Sequence, residues 1–190
     1  MQKDAASIIL MGHQLEVKAA QQLESKLATE PDEYEDRLSL IGYYYKHYYC
    51  CENAGRRRID HIVWLVRKHP DFKPILHSYL YAHLLDRRAY ACIKAAWQAA
   101  LGRAPNNIEI LCNMANFVQN QEPELALELY ERALGFAPGN SNVHARLEKL
   151  KASMDTLVEN RDNVLASGDS YFIPGAVVCP DAKLSTSQRS

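Results

Sequence analysis

Apolar positions recur at helical spacing along most of the chain. Within residues 4–29, Ile8, Leu15, Ala19, Leu23 and Leu27 form one stripe at steps of seven and four. Glu30-Pro31-Asp32 interrupts it, and Asp32 with Glu35 has the spacing of a capping box. A second helix is predicted from Glu33 to about Glu52, with Leu38, Ile41, Tyr45, Tyr48 and Tyr49 on its buried face. Asn53-Ala54-Gly55 ends it. Helices follow over 57–68, closed by His69-Pro70-Asp71, over 73–85, and over 89–102. Asn107 caps the next one, and Pro123 opens its partner at a first helical position, where a missing N–H costs little. A last helix is expected over 141–166. Beyond Ser167, Gly168, Pro174, Gly175 and Pro180 break the pattern and leave an irregular tail over 168–190.

Part of this pattern is repeated. "AALGRAPNN" and "RALGFAPGN" lie 33 residues apart. Ile93, Trp97, Ala100 and Pro105 recur as Ala126, Tyr130, Ala133 and Pro138. A helical period of that size marks a stack of helix pairs, because one pair cannot hide its apolar face alone. Small residues such as Ala100, Ala126 and Ala133 allow close backbone approach, and Tyr90, Trp97 and Tyr130 fill the wider gaps. Pro105 and Pro138 stop each second helix.

These residues resemble the tetratricopeptide repeat. The best-matching unit is "NNIEILCNMANFVQNQEPELALELYERALGFAPGN", in which Asn113-Met114-Ala115-Asn116 is similar to the family's Asn-Leu-Gly-Asn stretch. One residue is missing at its Glu122-Pro123 turn. The preceding unit departs at Tyr81 and Ile93, where small residues are usual. The first unit is degenerate, with Arg58 at a small-residue position. The resemblance implies an all-α solenoid of antiparallel helix pairs in a single domain over 1–167. Its repeats cover about 37–72, 73–106 and 107–140, an N-terminal helix precedes them, and a capping helix covers 141–166.

Bulk properties narrow the function classes. The 190 residues suit one domain, and 47% hydrophobic content is enough for a core. Lys plus Arg number 22 against 23 Asp plus Glu, a net charge of -1, so the basic excess of a nucleic-acid binder is missing. Arg56-Arg57-Arg58 is short and reads as a helix start. No apolar run is long enough to span a membrane, and Ile8 to Met11 is too short for a secretory signal. The five cysteines form no disulfide framework, and a reducing cytoplasm is the simplest setting.

The expected activity is non-enzymatic protein binding, as an adaptor or assembly subunit that takes a peptide or helix in a concave groove, with no cofactor. The resemblance implies groove positions at Ile75, Ser78, Ala82 and Leu85 in one unit. In the next they are Glu109, Cys112, Asn113, Asn116, Gln119 and Asn120. Asn113, Asn116 and Asn120 share a stripe, and an amide can clamp a peptide backbone with a donor and an acceptor. The basic partners of a carboxylate clamp are missing, since Cys112 and Ile75 occupy two of the relevant places. Tyr43, Tyr44, Tyr45, Tyr48 and Tyr49 exceed what one core needs, and Tyr43 and Tyr44 are the expected interface pair. The Ile8-to-Leu27 stripe would permit a homodimer, as in secretion chaperones of similar build, which are an alternative reading. A second alternative is a metal- or thiol-dependent enzyme built on His47, Cys50, Cys51 and His61. Nothing visible orients the imidazole, and no metal site is expected.

Overall fold

The computed structural model describes residues 4–72, 80 and 86–167, and every regular element among them is an α-helix. They are α1 (Ala5–Gly12), α2 (Val17–Thr29), α3 (Tyr34–Lys46), α4 (Ala54–Lys68), α5 (Arg87–Arg103), α6 (Ile108–Val118), α7 (Pro123–Phe136) and α8 (Ser141–Ser167). The helix expected over 73–85, with Ile75, Ser78, Ala82 and Leu85, lies outside the described residues. Both α1 and α2 pack on α3, and from α3 to α7 each helix packs on the next in order. This is a helix-pair arrangement of the generic solenoid kind. The chain divides into two compact units, Met1–Lys151 and Ala152–Ser190, and the division falls inside α8.

Several helix ends follow from local chemistry. Asp86 accepts from the Ala89 amide at 2.9 Å, and Asn107 accepts from Ile110 N at 3.1 Å. Asn140 accepts from Val143 N at 3.2 Å, and Pro123 occupies the first turn of α7. Such a cap satisfies one of the orphan amides that begin every helix. The capping box expected at Asp32 and Glu35 is absent. Glu33 precedes α3 without a side-chain cap bond. Asp32 instead accepts from Trp64 Nε1 at 3.3 Å and Lys68 Nζ at 3.2 Å, so a tertiary tie to α4 has taken its carboxylate.

The single N-terminal helix predicted over 4–29 is two helices. After Gly12 the amides of His13, Gln14 and Leu15 turn back to the carbonyls of Leu10, Met11 and Gly12, and the helix stops. The reason lies in α3. A Cβ on Gly12 would collide with the backbone of Ser39, and one on Gly42 with the carbonyl of Ile9. The two backbones touch at a pair of glycines, with Ile8 and Ile9 sealed inside. Only glycine permits that approach, and it fixes the direction of α1 independently of α2.

The tyrosine-rich helix is also shorter and differently rotated than expected. It ends at Lys46, so Cys50 and Cys51 fall in a turn in which both their amides donate to the His47 carbonyl. Asn53 adopts the left-handed conformation at φ 59° before α4 begins. Leu38, Leu40, Ile41, Tyr43 and Tyr44 are buried, whereas Tyr45 is 39% and Tyr49 87% exposed. The small residue expected at Arg58 is not needed, because the buried guanidinium lies over the Tyr45 ring at 5.5 Å.

In the repeated region the small residues do as expected. Ala100, Ala126 and Ala133 are buried, and Tyr130 is fully enclosed. Tyr90 stacks on Phe117 at 5.2 Å, and its hydroxyl donates to Glu122 at 2.6 Å. Lys94 donates to the same carboxylate at 2.7 Å. This ties α5 to the turn between α6 and α7, where the unit is one residue short.

Candidate functional site

Three of the six groove positions predicted in this unit, Cys112, Asn113 and Asn116, are buried. All of Ile110 to Val118 is buried. Asn113 does clamp a backbone, but its own: its Nδ2 donates to the carbonyls of Pro70 at 3.0 Å and Phe72 at 2.9 Å. Asn116 accepts from the Tyr130 hydroxyl at 2.6 Å. Burial pushes the Cys112 thiol up to about 11, which makes it a packing group at neutral pH. Of the expected stripe of Asn113, Asn116 and Asn120, the first two are therefore corrected to inward positions, as is the groove position Cys112. The segment around Pro70–Phe72 lies over one amide and α7 over the other. Glu109 and Asn120 are exposed and Gln119 is half-buried, so these three remain at the surface.

An apolar pocket of about 330 Å³, its open mouth included, lies between α4, α5 and α6. Ile62, Val66, Phe72, Leu80, Trp97, Asn113 and Phe117 line it. Among the described residues no donor reaches the buried Asn113 Oδ1.

Tyr43 and Tyr44 are likewise corrected from surface to interior, at 3% and 5% exposure. Their rings meet edge to face at 5.1 Å. Burial, with the Cys51 thiol 3.5 Å from its hydroxyl, raises Tyr43 to about 12. Tyr44 belongs to a polar cluster that sequence inspection missed. Glu24 of α2 accepts from the Tyr44 hydroxyl at 2.7 Å. The same oxygen lies 3.3 Å from His61 Nε2 and 3.4 Å from an Arg57 nitrogen, both on α4. Arg57 also donates to the Tyr44 oxygen at 3.2 Å. The other His61 nitrogen, Nδ1, is 3.3 Å from Arg37. A guanidinium only donates, so Nδ1 accepts and the ring hydrogen on Nε2 is directed to Glu24. His61, then Tyr44 and Arg57, hold the Glu24 carboxyl down to about 2 against the opposing effect of its partial burial. Burial first and the Glu24 carboxylate second push the Tyr44 phenol well above its ordinary value. No local pattern links these residues, since Glu24 and His61 are 37 positions apart. The only available signal was a charged residue beside the apolar stripe of α2.

Large apolar side chains are exposed in the first third of the chain. Leu10 and Met11 on α1 are 44% and 51% exposed, and Val17 at the start of α2 is 57% exposed. The end of α3 and the turn after it add Tyr45 and Tyr49. Tyr45 stacks on His13 at 5.8 Å, which joins the end of α3 to the end of α1. The metal reading of His47, Cys50, Cys51 and His61 finds no support: among the described residues no three His, Cys, Asp or Glu side chains gather as metal ligands. Among the same residues no helix is long and apolar enough to cross a membrane. Compared with known proteins, the chain matches no protein-family model, no curated protein and no solved structure.

Proposed function

We propose that this chain is a non-enzymatic binding protein, an adaptor or assembly subunit whose helical stack holds a protein partner. The observation that carries this reading is α1. It buries Ile8 and Ile9 while turning Leu10 and Met11 outward, so it is apolar on both sides. A helix apolar all round is normally enclosed. With Val17, Tyr45 and Tyr49 nearby in the chain's first third, it offers the kind of surface that partner proteins cover. Tyrosine suits such a surface, with large area and a polar tip. Glu109, Gln119 and Asn120 remain candidates for polar contacts along α6, and Ile75, Ser78, Ala82 and Leu85 belong to the same reading. A tetratricopeptide-like build with about three repeats is consistent with the 33-residue period. A cytoplasmic setting suits the free thiols Cys50, Cys51, Cys92 and Cys112.

The partner on α1 can be a second copy, because a two-fold axis lets one patch meet itself. The test is affinity capture from the native cell with wild type and a Leu10→Ser, Met11→Ser variant, each checked for helicity. A stoichiometric partner retained by the first and lost by the second supports the reading. Equal retention, or no partner at all, overturns it.

A further inference from the structure

The turn between α3 and α4 holds two consecutive thiols, Cys50 and Cys51. In a helix their side chains would point about 100° apart, as 3.6 residues per turn requires. Because α3 stops at Lys46, they lie outside any helix. Both of their amides donate instead to the His47 carbonyl, at 3.0 and 3.1 Å. The turn is also clasped at its ends. The Tyr48 ring lies so near Gly55 that a Cβ there would come within 2.8 Å of its Cε2. Asn53 closes the turn in the left-handed conformation. One compact loop therefore holds both thiols, with their Cα atoms about 3.8 Å apart as chain neighbours.

The pair is unequal. Cys50 is exposed and Cys51 is half-buried. The Cys51 sulfur lies 3.5 Å from the Tyr43 hydroxyl, and the residue packs on the core that includes Leu40, Tyr43, Tyr44 and Ala54. One thiol is open to an incoming reagent, and its neighbour is sheltered beside it. Redox-sensing cysteines use this arrangement, an accessible thiol next to a resolving one. The other described cysteines lack it. Cys92 stands on α5 with no cysteine beside it in the chain, and burial makes the Cys112 thiol unreactive by pushing it up to about 11.

We propose that Cys50 and Cys51 form a reversible redox site, which closes into a vicinal disulfide on reaction with a small disulfide of the oxidised-glutathione class. The Cys50 thiolate attacks one sulfur of the oxidant and expels the first thiol. The Cys51 thiolate then attacks the Cys50 sulfur of the mixed disulfide and expels the second. The pair gives up two electrons and two protons, and the oxidant becomes two thiols. Disulfide-bonded residues usually keep their Cα atoms about 4.4–6.8 Å apart, so a bridge between neighbours is strained and reopens readily in reduced thiol. That suits a switch and not a staple. Closure draws the Cys51 sulfur from Tyr43 and re-aims the adjoining Tyr49, which is 87% exposed. This site does not depend on the protein-binding reading above.

The test uses the full chain carrying Cys92→Ser and Cys179→Ser, which leaves the pair and the buried Cys112. It is equilibrated in glutathione buffers from fully reduced to fully oxidised, quenched with acid, and read by intact mass and peptide mapping. Oxidised buffer should yield a chain lighter by two hydrogens, with Cys50 bridged to Cys51 and no glutathione attached. Raising reduced glutathione should restore both thiols. Adding Cys51→Ser should stop the reaction at glutathione on Cys50. Adding Cys50→Ser should slow it at least tenfold, since only the half-buried thiol remains. Circular dichroism checks that each variant keeps its helices. If the paired chain stays reduced, or carries glutathione without closing, the proposal is overturned. So it is by a bridge to Cys112 or to a second chain, or by a Cys50–Cys51 bridge that survives excess reduced glutathione.

Discussion

Gly42 on α3 lies so near the carbonyl oxygen of Ile9 on α1 that no side chain fits between them. Both neighbours are backbone, so neither can rotate away. Gly42→Ala is expected to destabilise the protein by about 3 kcal/mol, at the upper end of ordinary overpacking costs. Gly102→Ala is the control. Nothing lies within 4 Å of a Cβ there, and alanine favours the helix by about 0.5–1 kcal/mol. Denaturant unfolding of both variants checks the pair, and equal effects would disprove the close approach.

The Tyr130 hydroxyl donates to Asn116 at 2.6 Å inside the repeated unit. Tyr130→Phe keeps the ring and removes the donor. A loss of about 1–2 kcal/mol is expected, because a buried acceptor loses its partner. Tyr130→Ala empties a fully enclosed site and should cost about 3–5 kcal/mol. Thermal melts rank the two, and an unchanged Phe variant would mean that the hydrogen bond contributes nothing.

Glu24 gives the fold an acid-sensitive element. Its folded pKa, about 2, lies below the ordinary 4.5. A depressed carboxylate stabilises above its unfolded pKa, and that stability is lost as pH falls from about 4.5 toward 2. Discounted for partial solvent access, the contribution is about 1–2 kcal/mol. Glu24→Gln should be less stable at pH 7 and converge with wild type near pH 2. Melting temperatures from pH 7 to 2 check this, and parallel curves would contradict it.

Leu10 and Met11 on α1 are exposed to solvent. If a second copy covers them, light scattering of wild type reads a dimer at micromolar concentration, and Leu10→Ser with Met11→Ser reads a monomer of the same helicity. A wild-type monomer at those concentrations removes the homodimer reading and leaves the patch for another protein.

Asn113 secures the segment before residue 73 through the Pro70 and Phe72 carbonyls. Asn113→Ala frees both and should cost about 1–3 kcal/mol. Faster hydrogen exchange in 68–72 would accompany it, and unchanged exchange there would show that the clamp is dispensable.

The sequence by itself determined the helices from α4 to α8 and several of their ends. Apolar spacing is a local property, and so are the caps at Asn107 and Asn140, the Pro123 start, and the small residues Ala100, Ala126 and Ala133. Within a few residues these features contain their own physical cause. Tertiary structure alone decided which faces look inward. Five tyrosines in seven positions satisfy more than one helical rotation, and the glycine contact with α1 helps select the one that buries Tyr43 and Tyr44. The asparagine stripe of α6 reads as solvent-facing until Pro70, Phe72 and Tyr130 arrive to bond it. Glu24 and His61 meet across 37 positions, a pairing that no window of local spacing contains. Their meeting depends on α2, α3 and α4 packing together, so the most chemically distinctive cluster of the chain exists only in the folded protein.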